Sequence, residues 1–507
     1  MCNKGSPPPW GGRKPGTNRE SVRTSAGGGG WRMGPYYRGD RVIPVEGRDP
    51  DSTKARKETT AGRLTMSLTT PADKVRKLQT SLQTKAKAEP AFRFYALWDK
   101  IYRADVLQEA YRRSRLNKGA PGADGETFER IESGGREQWL ETLQQELRSG
   151  QYRPQPLLRV WIPKSNGGQR PLGIACIRDR VVQMAALLVI GPIFEADLLP
   201  QQYGFRSGID AKMAVRRIYW HMTQHGRREV VDADLRDYFT SIPHTPLMCC
   251  LCRRIADGKV LHLLKSWLTV PVVEYVGKRE VRSTEARRTK RGTPQGSPIS
   301  PLLANLYFRR FLLAWQQHGH QTQLDAYVVN YADDFVICCK PGNAQAAMIR
   351  MQTLMARLGL AVNETKTRIA CFPEESFDFL GYTFGRFYNK DGQPYLGTRP
   401  SRKAIKSLLT RIHERTVSQR YADKPADVVS DINLQLRGWC GYFDQGPVMR
   451  TYKLIRKYTE RRFRRWLVQR RGGRGTGYRQ FPDEYLYQKL GLYSIPLRLA
   501  DLPRAKV

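Results

Sequence analysis

The run Tyr331-Ala332-Asp333-Asp334-Phe335 lies between two apolar stretches, Ala326 to Asn330 and Val336 to Cys339. Such flanks predict two strands with the acidic pair at the turn between them. A hairpin that needed only a turn would be better served by Asn-Gly or Asp-Gly, and adjacent carboxylates repel. A lone Asp-Asp pair is most often an ordinary acidic turn. Here the apolar strands on both sides place it on a rigid, half-buried platform. A second acidic strand supplies its partner: Glu229-Val230-Val231-Asp232-Ala233-Asp234-Leu235 alternates, so Val231, Ala233 and Leu235 share one face and Asp232 and Asp234 the other. Carboxylates on the face of a sheet are costly unless paired or metal-bound. If the two strands lie side by side, Asp234 and Asp333 can hold two divalent cations about 4 Å apart. Hard oxygen ligands of this kind suit Mg²⁺, with Mn²⁺ able to substitute.

Charge narrows the class of partner. The 507 residues carry 86 Lys+Arg against 47 Asp+Glu, a formal +39. Self-repulsion on that scale opposes compaction unless a polyanion shares the surface. Nucleic acid is such a polyanion, since each neutralised phosphate releases counterions; charge alone also admits a ribosomal-type or membrane-surface protein. The nine cysteines form no pair of Cys-x-x-Cys units, which argues against a zinc ribbon or finger. Their odd count and adjacent pairs suit a reducing compartment. The longest apolar run, Met184 to Phe194, is too short to span a bilayer. The expectation is a soluble protein of the bacterial cytoplasm, on the nucleoid when engaged with DNA, or of an organelle.

Residues 1–65 are rich in Gly, Pro, Ser and Arg and are expected to form a disordered leader, with Met66 as the true start. Residues 66–150 carry helical spacing, as in Phe94, Leu97, Ile101, Val106 and Tyr111. Residues 151–395 mix short strands with helices. Residues 396–470 are helical, with Pro425 as a breaker, and 471–507 form a short basic tail. The coarse class is an α+β body followed by a helical bundle.

The motifs resemble those of reverse transcriptases. Tyr331-Ala332-Asp333-Asp334 is similar to their catalytic signature, and Asp234-Leu235-Arg236-Asp237-Tyr238-Phe239 to their first metal-binding motif. Between them, Arg291-Gly292-Thr293-Pro294-Gln295-Gly296-Ser297-Pro298 is similar to the motif under the template–nucleotide pair, and Ser297 to Leu306 can open a helix. The resemblance implies a right-hand polymerase, with fingers and an antiparallel palm sheet followed by a helical thumb. It makes Asp234, Asp333 and Asp334 catalytic, the metals being held by Asp234, the Leu235 backbone carbonyl and Asp333. Upstream, Trp161 to Ile174 reads as a hairpin with a Gly-rich tip; Lys164 and Arg170 flank the tip and match the family's triphosphate clamp. Phe239 matches its plate under the sugar, which selects deoxynucleotides. Gln295 and Gly296 match its nucleotide-contacting pair, and Lys366 the lysine that assists pyrophosphate departure. Phe379-Leu380-Gly381-Tyr382 looks like its primer grip, so Gly381 and Tyr382 are expected to meet the primer. Arg178-Asp179-Arg180 and Gln202-Tyr203-Gly204-Phe205-Arg206 follow in the family's order. Two departures, Thr240 where an Asp often stands and Leu199-Pro200-Gln201-Gln202 before Tyr203, leave the aspartates untouched.

The flanks resemble the group II intron kind. Asn117 to Gly125 is similar to its N-terminal extension, and Leu436-Arg437-Gly438-Trp439-Cys440-Gly441-Tyr442-Phe443 to its thumb, or maturase, domain. From Arg399 to Arg479 there are 21 Lys+Arg against 6 Asp+Glu. Arg461, Arg462, Arg464 and Arg465, interleaved with Phe463 and Trp466, suit RNA backbone binding and stacking. The implied partners are intron RNA, template RNA, primer or target DNA, and dNTPs; the sequence sets no oligomeric state. No histidine follows Gly472, so no endonuclease domain is expected. The implied function is an RNA-directed DNA polymerase that binds its group II intron RNA, assists its splicing and copies it during retrohoming. The alternatives are a splicing-only maturase and a host-recruited enzyme of a CRISPR locus or of repair.

Overall fold

The computed structural model describes residues 70–163, 168–277, 279–389 and 391–497. The expected leader, the start at Met66 and Lys164 lie outside the described residues. The strands in chain order are β1 (Leu157–Pro163), β2 (Gln169–Ile174), β3 (Glu229–Asp234), β4 (Val272–Val276), β5 (Arg279–Ser283), β6 (Tyr327–Tyr331), β7 (Asp334–Cys339), β8 (Arg368–Cys371), β9 (Phe377–Phe379), β10 (Tyr382–Tyr388) and β11 (Pro394–Pro400). They form a four-stranded sheet of order β6-β7-β3-β8, a mixed sheet β2-β1-β4-β5 and a meander β11-β10-β9.

The sheet β6-β7-β3-β8 is antiparallel throughout and is covered on both faces. Val231, Ala233, Phe335 and Ile337 pack into one core with the helices Pro71–Ala88, Ala104–Leu116, Ile177–Glu195 and Ser300–Gln317. Val230, Val336, Cys338 and Ala370 pack into the other, against the helix Ala211–Thr223, β9, β10 and the helices beyond residue 400. This double burial accounts for the near-continuous apolar run of β7, while Asp232 and Asp234 break the pattern only on the second face, toward the end of β3. The alternation read in β3 therefore holds.

Three helices dominate the C-terminal part. Ser401 caps Arg402–Arg415 through its side chain, and Pro425 opens Pro425–Tyr442 at the first turn, where its missing N–H costs nothing. Met449–Arg470 follows. The residues past Gly472, read as a tail, fold back: Phe481, Leu486, Leu492 and Ile495 are buried in the same core as Trp439 and Trp466. No helix among the described residues is long and apolar enough to cross a membrane.

Candidate active site

Register brings the predicted carboxylates together. Asp234, the last residue of β3, lies directly opposite Asp334, the first of β7. Tyr331 pairs with Asp334 across the β6–β7 hairpin, so the two turn residues are Ala332 and Asp333. The acidic pair thus straddles the end of the turn rather than forming it. Only Ala332 has positive φ, at 60°, the pattern of a type II′ turn in which this position normally falls to Gly. The strain is held by buried polar contacts. The Asn330 amide donates to the Ala332 carbonyl at 2.9 Å, and the Tyr203 N–H donates to the Asn330 carbonyl at 2.8 Å. Gly204 packs so closely under the turn that a Cβ there would sit 2.3 Å from the Ala332 nitrogen.

Asp234 and Asp333 both line a cleft of about 1070 Å³, large enough for a nucleotide-sized ligand. Asp334 opens to solvent on one side, yet protein crowding, reinforced by the carboxylates of Asp333, Asp234 and Asp232, pushes its pKa up to about 6. Burial likewise raises Asp232 to about 6, with Asp234 and Asp378 adding to the rise and Arg368 opposing it. The segment after the helix Ala344–Arg357 grips Asp234 from below. Lys366 Nζ and Asn363 Nδ2 each donate to Asp234 Oδ2 at 3.0 Å. The Asn363 N–H donates to the Asp234 carbonyl at 2.8 Å, and Thr367 Oγ1 accepts from the Asp234 N–H at 3.3 Å. Lys366 was anticipated; Asn363 was not.

The same cleft gathers Arg170, Phe239, Gln295, Gly296 and Lys366. Phe239 is half-buried, and its carbonyl accepts from the Thr293 N–H at 2.7 Å, tying the segment after β3 to the Arg291–Ser297 loop. Gly296 has φ 103°, and a Cβ there would meet the Gly173 oxygen and Leu172 at 2.9 Å. Its close approach is therefore to β2; the Gly173 N–H donates to the Gln295 carbonyl at 2.8 Å. The helix anticipated after this loop runs Ser300–Gln317. Phe205, from the Gln202–Arg206 segment, also lines the cleft.

Four expected nucleic-acid contacts are otherwise engaged. Tyr382 is fully buried and its hydroxyl donates to the Tyr442 carbonyl at 2.6 Å. Gly381, at φ 79°, lies against the Phe443 ring, so the hairpin tip abuts the helices rather than facing outward. Arg464 is buried: its guanidinium donates to the Phe481 carbonyl at 2.8 Å, pairs with Asp483 and lies over the Tyr478 ring. It fastens the returning C-terminal segment and is withdrawn from the RNA-facing set. Arg462 donates to the Thr416 carbonyl at 2.8 Å, while Arg461 and Arg465 stay exposed.

Comparison with known proteins assigns two segments of the chain to families. Residues 162–384 match the reverse transcriptase (RNA-dependent DNA polymerase) family, and residues 405–481 match the group II intron maturase-specific domain. The chain is 34% identical to protein YkfC of Escherichia coli over 370 residues, which is 65% of this chain and 93% of YkfC. The chain belongs to the group II intron-type reverse transcriptases. It is 30% identical over 215 residues to the group II intron-encoded protein LtrA of Lactococcus lactis, covering 42% of this chain and 34% of LtrA. It is 25% identical over 399 residues to the COX1/OXI3 intron 1 protein of Saccharomyces cerevisiae, covering 68% of this chain and 44% of that protein. The chain thus spans less than half the length of these two intron-encoded relatives. The first matched segment contains Asp234 and Asp333, and the second contains Arg461 and Arg465.

Proposed function

We propose that this reverse transcriptase copies an RNA template into DNA at the Asp234–Asp333 cleft and holds group II intron RNA on its helical domain, assisting splicing and retrohoming. The observation that carries the reading is the cleft itself, where two crowded carboxylates, a basic residue on a hairpin and a half-buried aromatic plate meet. In this reading β6-β7-β3-β8 is the palm, β1 and β2 belong to the fingers, and the helices from Arg402 form the thumb.

The donor set fits Mg²⁺. Among the described residues no three His, Cys, Asp or Glu side chains gather as a metal cluster; here the ligands would be Asp234, Asp333 and the Leu235 carbonyl, all hard oxygens. The Lys366 ammonium on Asp234 marks a place where a cation is already welcome. When bound, two such ions lower the pKa of a primer 3′-hydroxyl and neutralise charge on the departing pyrophosphate. The protein's own groups do the rest. Arg170, with Lys164, holds the triphosphate and offsets its charge. Phe239 lies under the sugar and leaves no room for a 2′-hydroxyl. Gln295 and Gly296 line the nucleotide's path beside β2. Lys366 can give a proton to the leaving phosphate oxygen.

Primer extension on an RNA template with dNTPs and Mg²⁺ tests the polymerase. Wild type is expected to make cDNA, and Asp333→Ala to lose at least about 10³-fold in rate, the scale of removing a charge-stabilising group at a reaction centre. Equal silence from both, with tight intron-RNA binding retained, would favour a splicing-only protein.

A further inference from the structure

Phe205 is in an unusual state for a large apolar side chain. It is 53% exposed, and its backbone sits at φ 57°, a left-handed conformation that bulky residues rarely adopt. Strain of this kind persists only where the surroundings over-determine it, and here they do. Gln202 Nε2 donates to the Asn305 carbonyl at 2.9 Å, and Asn305 Nδ2 donates back to the Gly204 carbonyl at 2.8 Å. Arg206 anchors the other side, donating to the Leu199 and Gln202 carbonyls and pairing with Glu195. The loop is also fastened to the Ala332 turn through Tyr203 and Asn330. Folding gains nothing from holding a ring in water at a strained φ, so the gain lies in where the ring is aimed. It lines the carboxylate cleft and meets Phe239 edge to face, with centroids 6.3 Å apart and planes at 82°.

We propose that Phe205 is a specificity-determining residue of the nucleotide site, a second aromatic wall that fixes the tilt of the Phe239 ring against the sugar of the incoming nucleotide. This rests on the polymerase reading above. Phe239 lines the cleft and also meets Tyr238 edge to face, with centroids 5.8 Å apart. Without Phe205 the ring is free to rock away from the sugar, and a 2′-hydroxyl then meets less resistance. The same rigid loop also seats the Ala332–Asp333 turn, so the selecting ring and the metal-binding carboxylate share one support.

The test is single-nucleotide insertion on an RNA template, comparing kcat/KM for a dNTP with that for the matching rNTP. Phe205→Gly is the informative variant, because Gly accepts the positive φ and only the ring is lost. Its melting temperature is expected to equal or exceed that of wild type. Its preference for dNTP over rNTP is expected to fall about 3- to 10-fold, the range an edge-to-face aromatic pair supplies, with the change carried by KM. Phe205→Tyr should keep the preference. Phe239→Val should lose it, and adding Phe205→Gly to that variant should cost no more, since the two rings act as one unit. An active Phe205→Gly enzyme with unaltered preference sinks the inference, as does full additivity in the double variant. A folded Phe205→Gly enzyme that extends nothing would place the ring in the chemical step and equally overturn a role in selection. A wild type that extends no primer removes the polymerase reading and this inference with it.

Discussion

Asp234 is held at four points by residues roughly 130 positions away in the chain, and that grip fixes which of its oxygens remains available. Both the Asn363 amide and the Lys366 ammonium donate to Oδ2, which leaves Oδ1 as the oxygen the proposed metal would take. The two donors are not equivalent. Lys366 is an exposed cation that the proposed metal would displace, whereas Asn363 is also bonded through its own N–H and cannot leave without moving the loop. Asn363→Ala should therefore raise the Mg²⁺ concentration for half-maximal extension several-fold and lower kcat/KM by about tenfold, the value of one charge-assisted hydrogen bond. Calorimetric Mn²⁺ titration of the free protein should show the same weakening; unchanged metal affinity would count against the role. The contrast with the aspartates explains what was readable. Asp234, Asp333 and Asp334 announce themselves because carboxylates at the ends of apolar strands and in the turn that joins them have no cheap structural reason to be there. Asn363 is a neutral amide in a turn, common in any loop, and its meaning comes only from a partner 129 positions away. Phe205 was hidden for a similar reason, since strain and exposure are properties of a backbone conformation and not of a residue type.

At the scale of elements, the β3–β7 pairing was legible because a period of two with one polar face admits a single register. The buttress behind that sheet was less so. The helix Ala211–Thr223 carries His221 against Tyr327 of β6, with ring centroids 4.1 Å apart, and Arg227 bonds its Nδ1. Burial, then the charges of Arg227, Arg217 and His225, hold its pKa down to about 2, against 6.5 for a free imidazole. The sign follows from linkage: the unfolded chain takes up this proton below pH 6.5 and the folded chain does not. The stability that depends on neutral His221 is complete above pH 6.5 and is lost progressively as pH falls from there toward 2. The loss should be about 1 kcal/mol per pH unit below 6.5. Chemical denaturation at pH 7.5, 6 and 5 should show this slope for wild type. His221→Gln, which keeps an acceptor but does not titrate, should be less stable at pH 7.5 yet flatter across the range. An equally steep fall in the variant would assign the acid sensitivity to other groups, His225 first among them.

Across the whole molecule, the charge of +39 demands a polyanion, but charge runs do not say which arginines face it. The sequence from Arg461 to Arg465 presents four cations around Phe463, and helical spacing alone divides them. Arg464 lies three and four positions before Leu467 and Val468, so it falls on the apolar side of Met449–Arg470, whereas Arg461 and Arg465 share the outer side. What makes the inner position tolerable is the returning segment that brings Asp483 and the Phe481 carbonyl to it, a long-range event with no local signature. Arg464 should therefore separate from Arg461 and Arg465 in experiment. Arg464→Ala is expected to destabilise the folded chain by about 2–3 kcal/mol, because it strands a buried carbonyl and a partly buried carboxylate. It should affect RNA binding only through that loss of structure. Arg461→Ala and Arg465→Ala should leave stability within about 0.5 kcal/mol of wild type. Each should weaken binding to structured intron RNA and lower the slope of log K against log salt by about one, the signature of a lost phosphate contact. Filter binding across a salt series, alongside thermal melts of the same variants, separates the classes. If Arg464→Ala melted like wild type while lowering the salt slope, the inner arginine would be a direct RNA ligand and the packed C-terminal segment would have to open on binding.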